Sequence, residues 1–219
     1  MNWSDINNPE EWKFTTPIPN LRKWSSVNKD SLILDIGCGY GRTLRCLSDD
    51  GFTKLYGIDV SPRFISQARQ LCPNAHLLVG DCRDISSLYT QKFDVILVMG
   101  VIEYILSDQQ QNEFFLSIKQ MLSPNGIAIF ETFTMDWKNN YKQYFTWMFR
   151  TGHIGLFRNS KGFMCHHQTP SHLHRAFDSI FPFVIYEEKK YCSWTNNHIN
   201  GMNIIASNHE LRKIKRDDI

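Results

Sequence analysis

The sequence predicts an α/β protein built on a doubly wound, mostly parallel sheet. Three observations predict it. Short apolar strand candidates alternate with helical segments along residues 31–132, the pattern of a parallel sheet with helices on both faces. The first strand runs straight into a turn with alternating glycines, Gly37, Gly39 and Gly41, ahead of the first helix. Acidic residues stand where later strand candidates end, at Asp59 and Asp81. Right-handed crossovers bring such strand ends to one edge of the sheet, and open sheets bind ligands at that edge. Gly37, Asp59, Asp81 and Glu103 are therefore expected to converge.

The elements follow in order. Ser31 to Ile36 reads as a strand and Gly41 to Ser48 as a helix. Glycines between them let the backbone turn sharply and approach a ligand without a Cβ in the way. A dinucleotide fingerprint needs glycine or alanine at its sixth place, where this chain has Arg42. A P-loop needs Lys before Ser or Thr, and Gly41-Arg42-Thr43 lacks it. Lys54 to Ile58 is the next strand, with Asp59 at its end, 18 residues past Gly41. An acid at about that distance is placed to bind a ribose diol. Ser61 as N-cap and Pro62 at the first helical position open a helix with Phe64, Ile65, Ala68 and Leu71 on its apolar face. His76 to Val79 is a strand ending in Gly80-Asp81-Cys82-Arg83. The apolar run from Phe93 onward reads as a strand buried on both faces, carrying Met99, Gly100, Glu103 and Tyr104 at its C-terminal end. Leu122 to Gly126 reads as a turn after a helix, and Ile127 to Phe130 as the next strand. Thr169 and Pro170 start a further helix, and Phe183 to Trp194 and Asn200 to Ser207 read as two closing strands.

The stretch Asp35-Ile36-Gly37-Cys38-Gly39-Tyr40-Gly41 resembles the first motif, D-x-G-x-G-x-G, of the class I S-adenosylmethionine (SAM) methyltransferases. The likeness is close over residues 28–132 and holds in outline over 169–207. It implies a seven-stranded sheet closed by an antiparallel C-terminal hairpin, and SAM as cofactor. The cofactor contacts it implies are Asp35, Gly37, Cys38, Gly39, Arg42, Asp59, Val60, Asp81, Cys82, Arg83, Met99, Gly100 and Val101. Asp81 is matched to the adenine amino group. Related enzymes often carry V-L-E-H after the fourth strand; here Val101-Ile102-Glu103-Tyr104 puts a tyrosine where histidine is common. Glu103, Tyr104 and His167 are the candidate catalytic residues. A SAM-binding module without methyl transfer is the alternative of a different class.

Composition sets limits. The chain of 219 residues suits one domain: a cap over 1–30, the cofactor core over 31–132, a variable segment over 133–168, a helix and hairpin over 169–208 and a tail over 209–219. A net charge of +2 does not call for a polyanionic partner, so nucleic acid is not expected. No apolar run reaches a membrane span, so no membrane partner is expected, and six cysteines without a paired framework fit a reducing cytoplasm. The Cys165-His166-His167 run with His172 and His174 matches no usual zinc spacing, so no metal is expected. Substrate contacts are sought outside the shared core, at Trp12, Tyr141, Phe145, His153 and His166. The segment from Thr134 to Gln168 is long for a structureless connection. It reads as a partly helical aromatic lid over an acceptor pocket, with packing on the sheet or on a second subunit as alternatives. The reaction implied by the resemblance is in-line methyl transfer to an oxygen or nitrogen atom of a small molecule, and the aromatic content favours a planar or apolar one. Methylation of a protein or tRNA is the macromolecular alternative.

Overall fold

The computed structural model describes residues 18–192 and 198–213, apart from the side chains at 139–141, 192 and 198. Trp12 and the turn at 195–197 lie outside the described residues. The strands are β1 (Ile33–Ile36), β2 (Leu55–Asp59), β3 (His76–Val79), β4 (Phe93–Met99), β5 (Leu122–Phe133), β6 (Leu156–Arg158), β7 (Met164–His166), β8 (Phe183–Cys192) and β9 (His198–Ser207). The helices are α1 (Arg42–Asp49), α2 (Pro62–Leu71), α3 (Ile85–Leu88), α4 (Asp108–Met121), α5 (Trp137–Thr151) and α6 (Pro170–Ile180).

Seven strands form one sheet in the order β3-β2-β1-β4-β5-β9-β8. The first five are parallel, and β9 runs antiparallel to both β5 and β8. This is the expected class I topology with its antiparallel hairpin. Neighbouring residues of the central strands face opposite cores. Leu34, Ile96 and Val98 pack with Phe114, Phe115 and Phe177 of α4 and α6. Ile33, Val95 and Leu97 pack with Leu44 and Leu47 of α1 and with Ile65 and Ala68 of α2. Both faces of β1 and β4 are thus dry, which is why they read as continuous apolar runs. Each fully buried aliphatic side chain contributes about 1.5–3 kcal/mol.

Local signals act as read. Ser61 Oγ accepts the Phe64 N–H at the start of α2, and Thr169 Oγ1 accepts the His172 N–H at the start of α6. Asn20 caps a three-residue 3-10 turn, Leu21–Lys23.

Three expectations change. The fourth strand stops at Met99, because Gly100 takes φ +69° and a 3-10 turn, Ile102–Tyr104, follows. The turn expected at Leu122 to Gly126 lies inside β5 as an irregularity. The pairing jumps from Phe93↔Leu122 to Val95↔Ile127, and Ser123 Oγ pins the bulge by donating to Asp94 Oδ1 at 2.7 Å. A helix starting at Pro170 puts His172 in its first turn, where exposure is expected; the residue is half-buried, with Nε2 3.8 Å from Asp108 Oδ1.

The variable segment leaves and rejoins the sheet at one neck, where Thr134 bridges Gln168 and the Met135 N–H donates to the Gln168 carbonyl at 2.9 Å. Between these points lie α5 and the antiparallel pair β6–β7. The hairpin had no sequence signal, because each of its strands is only three residues long. Tyr144 is buried beneath α5, surrounded by Trp137, Phe157 and His167. Its hydroxyl accepts the Asp136 N–H at 3.2 Å and lies 3.1 Å from His167 Nδ1. Tyr144→Phe strands two buried polar groups, so a stability loss of about 1–3 kcal/mol is expected. A chemical-denaturation curve coincident with the parent's contradicts this.

Candidate active site

A cavity of about 470 Å³ opens at the carboxyl ends of β1 and β4. Strand order reverses between these two strands, so the cavity sits at the sheet's switch point, the usual ligand crevice of such folds. All thirteen residues matched to cofactor contacts line it: Asp35, Gly37, Cys38, Gly39 and Arg42; Asp59 and Val60; Asp81, Cys82 and Arg83; Met99, Gly100 and Val101. Four loops separated by some 60 residues of sequence meet because parallel strands all end on the same edge.

The glycine loop is tied to the neighbouring strand. Gly37 and Cys38 both donate to the Ile58 carbonyl, at 2.8 and 3.0 Å. Gly37 has φ +71°, and a Cβ there would come within 2.4 Å of Val101 Cγ2. A Cβ on Gly39 would meet nothing within 4 Å, so that side of the loop is open for close approach by a ligand. Asp59 organises the same loop: Oδ2 accepts the Gly39 N–H at 2.9 Å and Oδ1 accepts the Ser61 N–H at 2.8 Å. Each carboxylate oxygen retains a second lone pair. Burial raises the Asp59 pKa, partly offset by these two backbone bonds. Asp35, fully buried at the base of the loop, is pushed up to about 7 by desolvation, with the Asp59 charge adding to the effect. Asp81 goes the other way. The Arg83 guanidinium holds it below the usual carboxylate range, donating to Oδ1 at 3.0 Å and to Oδ2 at 2.5 Å.

This donor set fits an adenosyl sulfonium. Asp59 presents carboxylate lone pairs of the kind a ribose diol needs. Crowded, partly desolvated carboxylates favour a ligand that carries positive charge, which an ammonium and a sulfonium both supply. The open face of Gly39 leaves room for the ligand to lie on the backbone.

The candidate catalytic residues divide. Tyr104 lines the cavity. Its phenol is buried and bonded to the side chains of Cys165 and Asn159, and desolvation pushes its pKa far up, so it stays neutral. Glu103 is not on the cavity wall. Its carboxyl is 2% exposed and accepts the Thr132 Oγ1 hydroxyl at 3.1 Å. Burial raises its pKa to about 7. A carboxyl with a raised folded pKa adds its full stabilising share below the unfolded value near 4.5 and loses it as pH rises through about 7. Glu103→Gln is therefore expected to flatten the fall in stability between pH 4.5 and 8, giving a relative gain of about 3 kcal/mol at pH 8. Denaturation curves across pH with unchanged slope refute it. His167 lies under α5, off the cavity wall, and burial lowers its pKa to about 3. It is neutral at physiological pH, and its share of stability is lost as pH falls from 6.5 toward 3.

Of the expected substrate residues, Phe145, His153 and His166 are described, and these three are not brought together. Trp12 is outside the described residues, and Tyr141 lies on α5 with its side chain outside the description. Phe145 is exposed on α5 and packs on Trp137, with ring centroids 5.9 Å apart. His153 is exposed beyond the helix end. His166 is buried at the neck, its Nδ1 3.3 Å from Gln168 Nε2 and 3.8 Å from Asp108 Oδ1. Among the described residues no cluster of His, Cys, Asp or Glu is arranged to hold a metal.

The structure adds wall residues that the sequence reading did not assign: Tyr40, Phe64, Ile105, Leu106 and Gln110 among them. Phe64 carried a signal, an apolar residue in the first turn of α2 next to the cavity strand. Gln110 carried none. Phe163, from the β6–β7 turn, packs against both Phe64 and Tyr104, and thereby joins the variable segment to the cavity rim. Asn159 Oδ1 shapes that turn by accepting the N–H groups of Lys161 and Phe163, each at 3.0 Å.

Comparison with known proteins agrees with this geometry. A family model described as a methyltransferase domain matches residues 33–126. A ubiquinone biosynthesis O-methyltransferase of Bradyrhizobium diazoefficiens is 30% identical over 109 residues, 49% of this chain and 42% of that protein. A tRNA U34 carboxymethyltransferase of Shewanella frigidimarina is 28% identical over 136 residues, 59% of this chain and 40% of that protein. The chain thus spans about two-fifths of the length of these curated relatives. Among solved structures, a SAM-dependent methyltransferase from Methanosarcina mazei shares the fold, with a TM-score of 0.73 and 21% identity over 87% of this chain and 96% of that one. With the glycine loop, the acids at the strand ends and the seven-stranded topology in place, residues 33–126 match a methyltransferase domain and the chain has the fold of the class I SAM-dependent methyltransferases.

Proposed function

We propose that this protein transfers a methyl group from SAM to an oxygen or nitrogen atom of a small acceptor, planar or apolar, by direct in-line displacement. The observation that carries the reading is the cavity at the β1/β4 switch point, where Asp35, Asp59, Asp81 and the open face of Gly39 share one wall. Bound SAM supplies a methyl carbon made electrophilic by its positively charged sulfur.

The chain's own residues bind and orient. Asp59 takes the ribose diol while holding Gly39 in place. Asp81 takes the adenine amino group, with Arg83 keeping it ionised. Asp35 faces positive charge from below the glycine loop. Phe163, Phe64 and Tyr104 exclude water from the rim. Among the described residues no histidine lines the cavity, and Glu103 is taken up by Thr132. Acceleration therefore rests on positioning, which can supply about 7–11 kcal/mol of barrier reduction. The acceptors suited to such a site are phenols and amines, whose nucleophilic forms need little help from a base. Two relatives, a ubiquinone biosynthesis O-methyltransferase and a tRNA U34 carboxymethyltransferase, mark the small-molecule and the nucleic-acid readings.

The test is incubation with methyl-labelled SAM and separate pools of phenols, amines and bulk tRNA. Label in small-molecule product, with S-adenosylhomocysteine (SAH) accumulating in step, supports the proposal. Label only in acid-precipitable RNA favours the macromolecular reading. Tight SAH binding without any transfer favours a SAM-binding module.

A further inference from the structure

The stretch from α5 into α6 has a composition unlike the rest of the chain. From Trp137 to Phe177 there is not one of the chain's 22 Asp and Glu, yet six of its 24 Lys and Arg: Lys138, Lys142, Arg150, Arg158, Lys161 and Arg175. Large apolar side chains stand in solvent on the same stretch. Trp137 is 44% exposed, Phe145 46%, Phe149 83% and Ile154 51%. Trp137, Phe145 and Phe149 recur at multiples of four residues along α5, so they form a stripe on one side of the helix. Lys138, Lys142 and Arg150 are exposed on the same helix.

We propose that α5 docks flat on an anionic lipid bilayer, its aromatic stripe entering the headgroup–acyl boundary and its lysines facing the lipid phosphates. Interfacial helices have this composition, with Trp, Phe and aliphatic residues beside Lys and Arg. The 15-residue helix spans about 22 Å, enough to lie along the surface and far too short to cross it. No described helix is long and apolar enough to cross a membrane. The expectation of no membrane partner rested on the lack of a span, and surface docking is a separate matter. Charge selects the occupant. A second copy of the chain would set two acid-free faces against each other, which repel. Single-stranded RNA is gripped by basic grooves that track the backbone. Here the aromatic groups stand on a convex helix, and the aliphatic Ile154, just past its end, cannot stack with bases.

The experiment is sedimentation of the full chain with vesicles of phosphatidylcholine alone or with one-third phosphatidylglycerol, at 0.15 M and 1 M salt, with tRNA gel shifts in parallel. The parent is expected to bind the anionic vesicles, bind the neutral ones weakly, and release in high salt as screening shortens to about 3 Å. Phe149→Ser should weaken binding about tenfold, and each of Lys138→Ala and Lys142→Ala about fivefold. All three positions are exposed, so melting temperature and SAH affinity stay at parent values, which separates failure of docking from failure of the cofactor reading. The proposal is overturned by no sedimentation, by equal binding to both vesicle types, by vesicle binding indifferent to these substitutions, or by tRNA binding that they abolish in place of vesicle binding.

Discussion

Asp59→Ala is expected to weaken SAH binding by at least a hundredfold in calorimetry. The carboxylate does two things at once. It accepts the Gly39 and Ser61 N–H groups at 2.9 and 2.8 Å, and in the proposed reading it offers its remaining lone pairs to the ribose hydroxyls. Alanine removes the charged acceptor from both tasks. Hydrogen bonds to a charged group are worth about 1.5–3 kcal/mol each, so two or three of them amount to a loss of two or more powers of ten. Asp59→Asn keeps one carbonyl oxygen and should fall between parent and alanine. The fold should persist in either variant, because Ser61 still caps α2 through its own side chain. An SAH dissociation constant within threefold of the parent's, in a variant with native circular dichroism, removes Asp59 from the cofactor site.

A second large effect is expected at Gly37. At φ +71° any L side chain is strained, at a cost of about 1–2 kcal/mol. The new Cβ also meets Val101 Cγ2 at 2.4 Å. Val101 is β-branched, so it has few other rotamers to escape into. It lines the cavity, so any escape takes volume from the ligand. Overpacking of this kind costs about 1–3 kcal/mol. Gly37→Ala should therefore lose stability and at least tenfold in SAH affinity together. Adding Val101→Ala removes the clashing methyl and should restore most of the affinity, leaving only the backbone strain. The double-mutant cycle isolates this contact. A double variant that binds no better than Gly37→Ala shows that Val101 is not the obstacle.

Placement of the candidate site residues follows how each one is determined. Asp59 and Asp81 were legible because an acid at a strand end is a local pattern, and a parallel sheet puts every such end on one edge. The strand order, reversing at β1 and β4, then places the cavity without further information. Glu103 and His167 were legible as chemistry and not as location. Glu103 is withdrawn from the cavity by Thr132, 29 residues away, and His167 is held under α5 by Tyr144, 23 residues away. Nothing near either residue in the sequence announces those partners. The substrate residues proposed from aromatic content fared the same way. Phe145 faces solvent, while Phe163 turns out to meet the cavity rim.

The sequence by itself determined the class I sheet, its glycine loop and the row of acids on its carboxyl edge. Each of these is written within a few neighbouring residues and in the alternation of strand and helix. Tertiary structure alone decided which titratable side chains line the cavity and which are buried away from it. It also decided that α5 turns aromatic residues outward while Phe163 closes inward. Those outcomes depend on burial and on pairings between distant segments, and both arise only when the variable segment folds back across the neck at Thr134 and Gln168.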